Sequence, residues 1–293
     1  MTLPDFIVVG AAKAGTTALY WYLADHPQVF MSRVKETNYF AYGLDEGGHL
    51  LYGDPELHHF PIRTVDAYER SFEGAGDARA VGEASPIYLE CPQSAGRIRE
   101  TIPDARIICG LREPVDRAYS DYLMYLRSRG RRLDPAELTP SAAWARPNSH
   151  WMQISRYHEA LRRYFDVFPP ERIFVFLFDD LKADQAGLVR DIYRFLGADD
   201  GFVPDFGTPH NVGGMPASML LERVFTNDPL RRAVDPWIPK RAADWARRRR
   251  TRNLRRAPRL PGELAKELRE RFRDDIGKTA ELIGRDLSLW LER

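Results

Sequence analysis

The chain has 293 residues, 44% hydrophobic, 29% charged and 12% aromatic, with 43 Lys+Arg against 42 Asp+Glu and a net charge of +1. This is ordinary globular composition, which excludes collagen-like, coiled-coil and wholly disordered classes and offers no charge-based case for nucleic-acid binding. Cys91 and Cys109 are too few for a disulfide framework and leave no CxxC for zinc; no run of about 18 apolar residues offers a membrane span, and no cleavage-site pattern follows the first apolar run, so a cytoplasmic chain is expected.

In chain order, Asp5-Phe-Ile-Val-Val-Gly10 is a β-branched apolar run ended by glycine, and Thr16 to Asp25 carries apolar residues at helical spacing, which predicts strand, tight loop and helix. Ala80-Val-Gly-Glu83 reads as a short buried strand. Arg106 to Leu111 repeats the strand pattern, followed by Arg112-Glu-Pro114 and a helix from Val115 to about Leu126, with Pro114 suited to its first turn. Residues 127–150 are rich in arginine and proline and read as a mobile insertion. A third apolar run, Ile173 to Phe178, ends in Asp179-Asp180 and precedes a helical pattern through Leu196. Residues 201–217 are rich in Gly and Pro and, with 127–150, are candidate lids. From Pro261 the spacing is helical to Leu291.

Short continuous apolar runs alternating with helices predict an α/β fold: a P-loop-like parallel β-sheet flanked by helices on both faces, with a helical C-terminal region at 261–293 and one domain over 1–293. Binding sites in such sheets form at the carboxyl ends of strands. The loop Gly10-Ala-Ala-Lys13-Ala14-Gly15-Thr16-Thr17 stands there, at the start of a helix whose N–H groups and dipole attract anions. The nucleotide-triphosphatase pattern GxxxxGK[ST] has lysine after its second glycine. Here Thr16 takes that place, and the lysine lies three residues earlier, where it is suited to neutralise a leaving group.

With these residues the chain resembles the sulfotransferases that use 3′-phosphoadenosine 5′-phosphosulfate (PAPS), whose first signature is an apolar strand and a loop close to G-x-x-K-x-G-T-T. The resemblance implies a PAPS co-substrate held by Lys13, Ala14, Gly15, Thr16 and Thr17. The family's later R-x-P-x-x-R-x-x-S signature is matched by Arg112-Glu-Pro114-Val-Asp-Arg117-Ala-Tyr-Ser120, which implies that Arg112 and Ser120 bind the 3′-phosphate. An arginine at a strand end is suited to a forked, charge-assisted pair with phosphate. In Lys35-Glu36-Thr-Asn-Tyr39-Phe40 the glutamate resembles the proposed base of heparan-type and related bacterial members, making Glu36 and Lys13 the candidate catalytic pair. Gly82-Glu83-Ala84-Ser85-Pro86-Ile-Tyr88 resembles the family's E-x-[ST]-P-x-Y segment along the acceptor cleft, which Tyr39, Phe40 and Tyr88 would line. Ala84 stands where heparan-acting members often carry lysine, so a different hydroxyl acceptor is expected, among them sugars, phenols, lipids and natural products. Tyr157 and Asn211 fall where relatives place residues near the nucleotide.

The function so predicted is sulfuryl transfer from PAPS to a small-molecule or carbohydrate hydroxyl, giving adenosine 3′,5′-bisphosphate, with no metal. The seven histidines show no metal-ligand spacing with cysteines or acids. Two alternatives stay open. One is a magnesium-dependent P-loop kinase or NTPase using Asp179-Asp180. The other is a non-catalytic anion-binding protein using the basic block 240–259, in which ten basic residues face one acid, Asp244.

Overall fold

The computed structural model describes residues 3–44, 49–53, 58–129, 131–207, 215–216, 254–255 and 257–292. The strands are β1 (Phe6–Gly10), β2 (Val29–Met31), β3 (Ala80–Ala84), β4 (Arg106–Leu111) and β5 (Ile173–Leu177). All five pair in parallel in the order β2-β3-β1-β4-β5, so β1 is central, between β3 and β4. The expected apolar runs are thus strands of one sheet. The three-residue β2, too short to show a periodicity, was not expected.

Among the described residues the helices are α1 (Thr16–Asp25), α2 (Val65–Arg70), α3 (Ile87–Glu90), α4 (Ser94–Thr101), α5 (Pro114–Ser128), α6 (His150–Gln153), α7 (His158–Phe165), α8 (Phe178–Ala183), α9 (Gln185–Leu196), α10 (Gly262–Glu270), α11 (Arg273–Ile283) and α12 (Leu289–Glu292). Among the described residues no helix is long and apolar enough to cross a membrane. The chain divides into two compact units.

The first unit, Met1–Glu113, Arg156–His210 and Arg273–Glu292, contains the sheet. Alternate side chains of a strand point to opposite faces. Phe6 and Val8 of β1, Ile108 of β4 and Phe176 of β5 pack with Leu19 and Leu23 of α1 and Val189, Ile192 and Leu196 of α9. Toward the other face α3 packs on β1 and α7 on α3 and α4, with α11 on α7. Every residue of β1 is buried, as a strand covered on both faces requires.

The second unit is built around α5. Trp144 is fully buried, its ring stacked on Tyr122 at 5.6 Å and its Nε1 donating to the Glu137 carbonyl at 3.0 Å. The segment 127–150, expected as an insertion, is anchored on α5 through Trp144 and carries two short 3-10 turns, Pro135–Glu137 and Ala143–Ala145. Arg117, the second arginine of the signature, is fully buried, with Nε donating to Ser155 Oγ at 2.7 Å, Nη2 to the Trp151 carbonyl at 2.9 Å and Nη1 to Asp121 at 3.2 Å. It ties α5 to the region of α6 and is spent on structure. β6 (Met215–Pro216) and β7 (Leu254–Arg255) form a two-stranded antiparallel pair. Most of the candidate lid 201–217 beyond residue 207, and the basic block 240–259 apart from residues 254–255 and 257–259, lie outside the described residues.

Gly110 of β4 pairs with Phe176 of β5, whose ring lies over the glycine; a Cβ there would stand 2.4 Å from the ring. Gly110→Ala is therefore expected to cost about 1–3 kcal/mol by overpacking, read as a lower urea midpoint. An unchanged midpoint would show that the ring moves freely.

Candidate active site

The loop after β1 wraps the N-terminus of α1. Gly15 precedes the helix in the left-handed region, φ 90° and ψ 5°, a conformation that favours glycine, and a Cβ there would stand 2.6 Å from Leu181 Cδ2, which would have to shift. No side chain caps the helix, and an α-helix leaves its first N–H groups without intrahelical partners. Ala14 and Thr16 are buried, while Lys13, Gly15 and Thr17 keep partial exposure. Lys13 has φ 70°, and among the described residues the other non-glycine position with positive φ is Asn38, at 53°. Both fall in loops that carry the expected chemistry, where strained backbone tends to collect.

Because β4 lies beside β1 in parallel, the residues leaving β4 emerge next to this loop. Arg112 Nη1 donates to the Lys13 carbonyl at 3.3 Å, and its guanidinium lies over the Phe178 ring, 5.0 Å from the centroid. The structure thus brings Lys13 and Arg112 together. Ser120 lies half-buried on α5 in the second unit. Tyr157 is buried, and its hydroxyl donates to the Arg112 carbonyl at 2.8 Å, so the atom expected near the nucleotide is turned onto the backbone of the phosphate-binding candidate. Asn211 lies outside the described residues.

The second loop, Lys35 to Asn38, rests on a buried carboxylate. Glu83 of β3 is 0% exposed and accepts four hydroxyl hydrogen bonds: Thr37 at 2.6 Å, Ser85 at 2.7 Å, and Tyr68 and Tyr88 at 2.9 Å each. Ser85 Oγ also accepts from the Asn38 backbone N–H at 3.1 Å. The loop is therefore pinned at Thr37 and Asn38, leaving Glu36 projecting, its side chain 39% exposed and paired with Lys35 Nζ at 3.3 Å. Burial pushes the Glu83 carboxyl above the ordinary glutamate range against the pull of its four donors.

Two expectations change here. Phe40 and Tyr88 are buried and do not line an open cleft, since the Tyr88 hydroxyl is turned inward to Glu83; Tyr39 stays half-buried, its ring stacked on Tyr68 at 4.5 Å. Glu83 itself belongs to the interior rather than to an acceptor surface. The signal for this is in the sequence: Glu83 stands between Gly82 and Ala84 inside a strand buried along its whole length.

The aspartates after β5 are engaged elsewhere. Asp180 accepts from the Leu177 N–H at 2.8 Å and forms a two-point ion pair with Arg285 at 2.6 and 3.0 Å. Burial acts to raise its pKa, but these donors hold it below the ordinary value. Asp179 pairs with Lys182 at 2.7 Å.

The model of a family described as the sulfotransferase family matches residues 4–201. A crystal structure of a sulfotransferase from Alicyclobacillus acidocaldarius is similar over 100% of both chains, with a TM-score of 0.70 and 30% identity. The membrane-associated sulfotransferase kil1 of Dictyostelium discoideum is 34% identical over 125 residues, 42% of this chain and 23% of that protein. The human bifunctional heparan sulfate N-deacetylase/N-sulfotransferase 3 is 28% identical over 212 residues, 67% of this chain and 22% of that protein. The chain thus spans less than a quarter of the length of either relative.

A carboxyl that holds its proton more tightly when folded adds stability as pH falls through its folded value and adds nothing more below the ordinary glutamate range. The stability difference between wild type and Glu83→Gln, from urea unfolding, should therefore move in favour of wild type as pH is lowered from neutral toward that range. A difference independent of pH would mean that burial leaves Glu83 unshifted.

Proposed function

The chain belongs to the sulfotransferase family, and on that premise we propose that it moves the sulfuryl group of PAPS to a hydroxyl of a small-molecule or carbohydrate acceptor, releasing adenosine 3′,5′-bisphosphate. The observation that carries this reading is the hydrogen bond from Arg112 to the Lys13 carbonyl, because it joins the two anion-binding motifs at the carboxyl ends of adjacent strands. One donor molecule with a phosphate at each end of its ribose matches such a pair.

In this reading PAPS supplies an activated sulfuryl group and a phosphate leaving group. The N–H groups at the start of α1 and the Lys13 ammonium meet the charge that develops on the leaving phosphate, as preorganised dipoles do. Arg112 anchors the 3′-phosphate, and Ser120 is assigned to the same phosphate on the signature alone. Glu36 takes the acceptor's proton while the bond between sulfur and the acceptor oxygen forms and the bond between sulfur and the donor's phosphate oxygen breaks. Lys35 holds Glu36 in place, and Thr37, fixed by Glu83, holds the backbone beneath it. Catalysis is then positioning plus electrostatics, and the acceptor's identity is set outside the residues that hold the donor.

Calorimetric titration in EDTA tests the donor half. Adenosine 3′,5′-bisphosphate should bind well and ADP poorly, and Arg112→Ala should weaken the bisphosphate about 10- to 100-fold, the loss of hydrogen bonds to a charged group. Equal binding of the two nucleotides would contradict the reading. With an acceptor found by screening phenols, sugars and lipid alcohols, Lys13→Ala and Glu36→Gln should each lower kcat on the order of a hundredfold or more. For Glu36→Gln the affinity for the bisphosphate should stay unchanged; near-normal kcat in either variant would remove that residue from the mechanism.

A further inference from the structure

We propose that Asp275 and Tyr157 are positioning residues for Arg112, and that through them the C-terminal helix α11, beyond the residues the family comparison matches, sets the enzyme's preference for a nucleotide bearing a 3′-phosphate. The proposal rests on the donor-site reading above. Asp275 is a carboxylate, 7% exposed, that the mechanism does not use. It accepts from the backbone N–H of Tyr157 at 2.7 Å and of His158 at 3.3 Å, the start of α7. A carboxylate there satisfies N–H groups that the helix leaves without partners and complements its dipole.

What makes this more than a helix cap is the direction of the side chain it fixes. Tyr157 has its ring buried beside Trp290 of α12 and its hydroxyl donates to the Arg112 carbonyl at 2.8 Å. Arg112 in turn donates to the Lys13 carbonyl and lies over Phe178. Two consecutive contacts thus run from α11 to the backbone of Arg112, Asp275 to Tyr157 and Tyr157 to Arg112. A guanidinium binds phosphate through two parallel N–H donors, so its affinity depends on the orientation of the residue that carries it. Removing the Tyr157 hydroxyl takes this donor from the Arg112 carbonyl and loosens the backbone that carries the guanidinium. The effect should fall on the 3′-phosphate and spare the 5′-phosphate, which the loop after β1 receives.

The test compares adenosine 3′,5′-bisphosphate with AMP, which differs only in lacking the 3′-phosphate, by calorimetry on wild type, Tyr157→Phe, Asp275→Asn and Arg112→Ala. Wild type should prefer the bisphosphate at least tenfold; if it does not, the donor-site reading fails and this proposal with it. Given that preference, Tyr157→Phe should weaken the bisphosphate about threefold to tenfold, the loss of one hydrogen bond, and leave AMP unchanged. Asp275→Asn should act in the same direction. In an Arg112→Ala background Tyr157→Phe should change neither affinity, because the coupling runs through Arg112. A purely structural role predicts that both nucleotides weaken together or that neither does, and either result overturns the proposal. Should Asp275→Asn fail to fold, Tyr157→Phe decides alone, since it removes one oxygen and keeps the buried ring.

Discussion

The parallel pairing of β1 with β4 is the constraint from which the candidate site follows. Its register sets Gly10 beside Cys109, so both strands end at the same edge of the sheet and deliver their next residues, Lys13 and Arg112, to one place. Ala11 N–H donates to the Gly110 carbonyl at 2.6 Å, continuing the contact past the last paired residue of β1. The strand order requires the chain to leave β1 for β2 and β3 on one side and then cross to β4 on the other, and such a reversal opens a crevice at the carboxyl ends. Without that adjacency the two signatures would be separate loops along the same edge of the sheet.

Two glutamates 47 positions apart serve one loop in different ways. Glu36 is exposed enough to meet a substrate, and Glu83 is sealed inside with every available donor a hydroxyl. A carboxylate without water is costly unless its lone pairs are filled, and four donors fill them. Such a network fixes one geometry, since Thr37, Ser85, Tyr68 and Tyr88 all converge on the same two oxygens. The backbone of the Lys35–Asn38 loop is thereby held from beneath while its outward side stays available.

The sheet was legible in the sequence because strands covered on both faces must be continuous apolar runs, as Phe6–Gly10 and Ile107–Leu111 are, and the edge strand Ile173–Leu177 is apolar as well. β2 was not, being three residues long. The loop after β1 could be read as an anion site from glycine spacing and the lysine within it, and the resemblance to a family added Arg112 and Glu36. Arg117 shows the limit: it sits in the same signature as Arg112 but points into the second unit's core, and spacing alone does not tell a ligand from a brace. Tyr157 shows another, because the residue that aims it, Asp275, is 118 positions away and only the folded chain makes them neighbours.

The most direct test of the account is a crystal structure with adenosine 3′,5′-bisphosphate bound. The account predicts the 5′-phosphate against the N–H groups of the Gly10–Thr17 loop with Lys13 Nζ on it, and the 3′-phosphate on the Arg112 guanidinium. A nucleotide bound away from these two loops, or with its 3′-phosphate on the loop after β1, would contradict it.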